Sequence, residues 1–90
     1  MNAPIEPVLA AGRQPMTLIL FQRDDCHLCD LALGVLAEVR APEFESVFID
    51  GEAVLEERYG IRVPVLHDAT SGLELDWPFD AVRLRGWLRG

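Results

Sequence analysis

Ninety residues, half of them apolar, suffice for one domain with its own core and no disulfide staples. Fifteen acidic residues stand against eight basic ones, all arginine, for a net charge of -7. Such a surface repels phosphate backbones and anionic membranes, so neither nucleic acid nor a membrane is an expected partner.

Residues 1–15 hold Pro4, Pro7 and Pro15 with small residues and no periodicity, and read as a mobile tail, natural or appended, ahead of a domain at 16–90. Met1–Pro7 lacks the basic start of a secretory signal, which points to a cytoplasmic protein. Thr17-Leu18-Ile19-Leu20-Phe21 is nearly all apolar, as expected of a central strand over about 17–22 covered on both faces. Even Met16 to Phe21, the longest apolar run, is far short of the roughly 20 residues of a membrane span. After Arg23-Asp24-Asp25, the residues Leu28, Leu31, Ala32, Val35, Leu36 and Val39 recur at helical spacing, predicting a helix over about 27–40 that Ala41-Pro42 stops.

A second strand is expected at Glu45–Asp50, then a short helix from Glu52 to Tyr59 capped by Asp50 and ended by Gly60. Its Glu52, Glu56 and Glu57 read as a solvated face. Val63–His67 reads as a third strand opening on proline, Thr70-Ser71-Gly72 as a hairpin turn, and Leu73–Trp77 as an edge strand with one wet face. Pro78 suits the first turn of a last helix and Asp80 its dipole, with Phe79, Val82, Leu84, Trp87 and Leu88 as the apolar side. The order β-α-β-α-β-β-α predicts an α/β fold: a four-stranded mixed sheet with helices on both faces and a right-handed first β-α-β unit.

Both cysteines, Cys26 and Cys29, fall where the first strand hands over to the first helix. Within a regular helix, Cβ atoms three residues apart lie about 5–6 Å from each other, too far for a disulfide's roughly 3.5–4.5 Å. With Cys26 at the N-cap and Cys29 in the first turn the mismatch disappears. Without export, such a pair is expected to be catalytic or metal-binding rather than a structural staple. Cys26, at the exposed positive end, is then the attacking thiolate and Cys29 the resolving one. The helix end favours an anion there by about 0.3–1 kcal/mol. One exposed carboxylate at 4 Å opposes it by about 1 kcal/mol in water, and Asp24, Asp25 and Asp30 are all nearby. No unusually reactive thiol follows. Zinc would need three or four ligands, and His67 lies roughly 10 Å past the prolyl end of its strand, so no metal site is expected within one chain; a cluster bridging two chains stays open.

Phe21 to Cys29, Val63-Pro64, the hairpin and the last helix together resemble the glutaredoxin-like proteins, the minimal form of the thioredoxin fold, over about residues 16–89. The resemblance implies thiol–disulfide oxidoreductase activity with Cys26 as nucleophile and Cys29 resolving. It also implies a cis-Pro64, with Val63 presenting backbone to an extended thiol substrate or to glutathione. The chain departs from that family in having His27-Leu28 between its cysteines. It also has Leu75-Asp76-Trp77-Pro78-Phe79-Asp80 where a glycine pair would cradle glutathione. Asp80 is left to meet the glutathione amine, and Arg23 or Arg62 its glycyl carboxylate. The resulting expectation is a monomer acting on a disulfide-containing protein or small-molecule thiol, with no bound cofactor and either glutathione or a reductase as the reductant. The alternative is a non-catalytic binding module of the same fold, its cysteines vestigial or carrying a cluster, or a subunit of a larger redox system.

Overall fold

The computed structural model describes residues 16–90; the tail expected at 1–15 lies outside the described residues. The elements follow as β1 (Leu18–Gln22), α1 (His27–Glu38), β2 (Phe44–Phe48), α2 (Ala53–Tyr59), β3 (Val65–Asp68), β4 (Glu74–Asp76) and α3 (Ala81–Arg89). The strands form one sheet in the order β2-β1-β3-β4. β1 and β2 run parallel, with Leu18 opposite Phe44 and Gln22 opposite Phe48. β3 is antiparallel to both β1 and β4, pairing Phe21 with Val65 and Leu66 with Leu75. This is the minimal thioredoxin fold that the resemblance implies.

β1 reads as a continuous apolar run because it feeds two cores. Leu18 and Leu20 pack with Ala32, Leu36, Leu66, Leu75, Phe79 and Leu84 on the side covered by α1 and α3. Phe21 packs with Ile49, Tyr59 and Val65 on the side covered by α2. Leu20, Leu66 and Val65 are fully buried, and burying each such side chain stabilises the fold by about 1.5–3 kcal/mol. In α1 the buried residues are Cys29, Ala32 and Leu36, while Leu28 and Leu31 remain nearly half exposed. The apolar periodicity is therefore wider than the face that α1 buries.

Several boundaries differ from expectation for local reasons. α1 ends at Glu38, ahead of Ala41-Pro42, because Arg40 takes a left-handed φ of 54°. The Ala41 amide then donates to the Leu36 carbonyl (3.0 Å) and the Arg40 amide to that of Ala37 (3.1 Å), which satisfies the last turn. α3 starts at Ala81 rather than Pro78, since the Asp80 carboxylate accepts the Arg83 amide at 2.8 Å and so defines the N-cap. β3 begins at Val65 rather than Val63, whose amide donates to the Tyr59 carbonyl as α2 unwinds. β2 spans Phe44–Phe48; just past it the Ile49 amide still donates to the Gln22 carbonyl at 2.8 Å while its side chain fills the core. Asp50 does not cap α2; Glu52 holds that position with no side-chain bond.

Asp68, which the sequence does not single out, closes the β3–β4 turn. Its buried carboxylate accepts the amides of Thr17 (3.1 Å) and Thr70 (3.0 Å) and the Ser71 hydroxyl (2.9 Å). Burial works to raise this carboxyl, but the donors together hold it below the ordinary aspartate value.

Candidate functional site: the Cys26–Cys29 turn

One end of the sheet collects the residues singled out from the sequence. The carboxyl end of β1 leads through a turn at Asp24-Asp25 into α1. Beyond the Phe21–Val65 pair, the register places Pro64 beside Gln22 at that same end. The Val63–Pro64 bond is cis, as the resemblance implies, and so is Trp77–Pro78, which nothing in the sequence marks. The two prolyl segments are joined, since the Trp77 amide donates to the Pro64 carbonyl at 3.2 Å.

Cys26 is the N-cap of α1, in extended backbone (φ -118°, ψ 110°), and its sulfur accepts the Cys29 amide at 3.1 Å. The strand-to-helix transition thus removes the helical spacing problem: the two Cα atoms lie 5.2 Å apart and the sulfurs are at disulfide distance. Their exposure differs. Cys26 is half-buried, whereas Cys29 is 1% exposed beneath the first turn of α1. The amide aimed at the Cys26 sulfur and the positive end of α1 both favour negative charge on that atom. Asp25, with φ 56°, makes the tight turn just before it; aspartate is among the few side chains that tolerate this region.

Asp50 and Arg23, two charged groups near the cysteine turn, are held by hydrogen bonds. The Asp50 carboxylate accepts the Asp24 amide at 2.9 Å and so lies against the cysteine turn. Arg23 points to α2, where its guanidinium holds Glu56 in a two-point pair (2.7 and 3.0 Å) and donates to the Gly60 carbonyl at 3.1 Å. Glu56 is therefore a partner of Arg23 rather than part of a solvated face. The hydrogen bond between them raises the arginine and lowers the glutamate.

A second cluster holds the prolyl loop. Arg62 directly precedes Val63-Pro64 and donates to Glu74 (2.6 Å) and to both carboxylate oxygens of Asp76 (2.8 and 2.9 Å) on β4. Glu74 also accepts the Tyr59 hydroxyl (2.6 Å) and lies 2.9 Å from His67 Nδ1. The Tyr59 ring stacks on Phe21 with centroids 4.2 Å apart, while Arg62 lies over it at 5.1 Å. Burial alone would raise the Glu74 carboxyl, yet the Tyr59, Arg62 and His67 contacts bring it down to about 2. Burial, reinforced by Glu74, pushes the Tyr59 phenol up to about 12. His67 lies on an interior strand and belongs to this cluster, not to the cysteines. The alternation Glu74-Leu75-Asp76 shows that one face of β4 is polar. That Arg62 would meet it depends on pairing twelve and fourteen residues away.

Asp80, placed by the resemblance at the glutathione amine, spends one carboxylate oxygen capping α3. Trp77 and Phe79 meet edge to face (centroids 5.0 Å) and pack against the α1–α3 core, anchoring that helix. Among the described residues no group of three or more His, Cys, Asp or Glu is placed to hold a metal. No helix among them is long and apolar enough to cross a membrane.

The family model described as Glutaredoxin-like domain (DUF836) matches residues 17–89. The chain belongs to the glutaredoxin-like domain family. The fold is also that of solved structures. An X-ray structure of target protein XcR50 from X. campestris is 64% identical, with a TM-score of 0.77, over 81% of this chain and 96% of that one. A solution structure of the same target gives 65% identity and a TM-score of 0.76, covering 82% and 94%. The solution structure of protein Ne2328 from Nitrosomonas europaea is 29% identical, with a TM-score of 0.70, covering 83% and 93%. A search of the curated proteins found no match. In this glutaredoxin-like domain, the paired cysteines at the start of α1 fit a C-x-x-C redox module.

Proposed function

We propose that the chain is a cytoplasmic thiol–disulfide oxidoreductase. The observation that carries this reading is the Cys26–Cys29 pair at disulfide distance on the N-cap of α1, with Cys26 accessible and Cys29 covered. The Cys26 thiolate attacks one sulfur of a substrate disulfide R–S–S–R, forming a Cys26–S–S–R bond and releasing one thiol. The Cys29 thiolate then attacks the Cys26 sulfur, closes the protein disulfide and releases the second thiol. Two electrons pass from the protein dithiol to the substrate. Either glutathione or a reductase returns them. The place of Val63-Pro64 beside the carboxyl end of β1 supports a role for the Val63 carbonyl in meeting the substrate, since the Val63 amide and the Pro64 carbonyl bond within the fold.

The test is a reduction-potential titration of the dithiol combined with a disulfide-reduction assay. A two-electron titration and turnover that depends on Cys26 are expected. Equal turnover by wild type and Cys26→Ser would refute the proposal.

A further inference from the structure

The proposed exchange has a substrate preference written into the charges around it. The turn and helix start that carry the cysteines expose Asp24, Asp25 and Asp30, and Asp50 lies against the same turn. The cations that would offset them are already engaged: Arg23 by Glu56, and Arg62, in the loop before Val63-Pro64, by Glu74 and Asp76. Asp80, at the start of α3, adds another carboxylate. Arg83, exposed on the first turn of α3, forms no ion pair among the described residues, as is also true of Arg40, Arg58, Arg85 and Arg89. Between the cysteines both side chains are exposed: Leu28, at 46%, offers an apolar contact, and His27 an imidazole beside Cys26.

We infer that the Cys26 site selects cationic disulfides and disfavours anionic ones, glutathione disulfide among them. The inference rests on the thiol–disulfide reading above and concerns its substrate class. A disulfide flanked by ammonium or guanidinium groups, as in a basic peptide, approaches Cys26 through a field of four exposed carboxylates. A disulfide flanked by carboxylates meets the same field with opposite sign. The sulfur chemistry is the same for both: Cys26 forms the mixed disulfide, Cys29 closes the ring, and two thiols leave. The same repulsion slows glutathione as the returning thiol, which favours a reductase as the electron donor.

The test uses the full reduced chain and three symmetrical small disulfides: cystamine (cationic), hydroxyethyl disulfide (neutral) and dithiodipropionate (anionic), with glutathione disulfide as a second anion. Each rate is divided by that of the same disulfide with dithiothreitol, which removes differences in leaving-group reactivity. At low ionic strength the normalised rate for cystamine should exceed that for the anions by about tenfold or more, as charge-steered encounters do. The ratio should collapse severalfold in molar salt, where the Debye length falls to about 3 Å. Asp24→Asn, Asp25→Asn and Asp30→Asn combined should narrow it at low salt, and asparagine suits the left-handed φ of Asp25. Arg83→Gln should not narrow it. Equal normalised rates, or an anionic preference lost in Arg83→Gln, would overturn the inference and leave the exchange intact. No exchange with any of the disulfides would instead overturn the proposed function.

Discussion

The cysteine turn and the Glu74 cluster lie on one small sheet and are built in opposite ways. The turn is positioned by backbone: an extended N-cap, a left-handed Asp25 and a single amide on the Cys26 sulfur. The cluster is held by side chains, with Tyr59, Arg62 and His67 all converging on one carboxylate. In the turn, the Cys29 amide is the Cys26 sulfur's one hydrogen bond among the described residues, and it favours the thiolate that exchange needs. The charged cluster fixes the loop before Pro64 to β4. The division predicts that reactivity and stability separate between the two regions.

The largest effect falls on the turn. Cys26→Ser should bring disulfide exchange down to background, while its unfolding free energy in urea, in the reduced state, stays within about 0.5 kcal/mol of the reduced wild type, since serine also serves at an N-cap. Arg62→Ala is the complementary break. It leaves Glu74 and Asp76 without their guanidinium and should cost about 2 kcal/mol of unfolding free energy, yet retain exchange at a rate within about tenfold of wild type.

Acid sharpens the same contrast. Because the folded-state Glu74 carboxyl is depressed to about 2 from an ordinary 4.5, its stabilisation is whole above about pH 5 and lost as the pH falls towards 2. The loss is on the order of 2–3 kcal/mol. Denaturation followed across that window should show a shallower acid limb in Glu74→Gln; an unchanged limb would mean that other carboxylates carry it. Asp80→Ala removes a helix cap and should cost about 1 kcal/mol. The smallest change is a gain. Arg40→Gly relieves a left-handed arginine and should raise stability by about 0.5–1 kcal/mol in thermal or urea unfolding.

The element order was legible because the periodicity changes sharply between Thr17–Phe21 and Leu28–Val39, and because turn residues separate the later strands. The placement of Cys26 before the first helical turn was legible for the same reason. The end of α1 was not, since the residue that closes it is Arg40 rather than a glycine, and only its backbone angle reveals the motif. Asp50 reads as a cap and Asp80 as a dipole partner within its helix, yet Asp50 binds the Asp24 amide across the sheet end while Asp80 caps its own helix. The Arg23–Glu56 and Arg62–Glu74 pairs join residues that tertiary structure alone brings together, so the commitment of both arginines could not be read from spacing.

The central claim, that Cys26 attacks and Cys29 resolves, is tested most directly by intact-mass analysis after brief exposure of reduced single-cysteine variants to hydroxyethyl disulfide. Cys29→Ser should accumulate one mixed-disulfide adduct on Cys26, and Cys26→Ser, with its thiol 1% exposed in the parent fold, should remain unmodified over the same time. Faster labelling of Cys29 than of Cys26 would contradict the account.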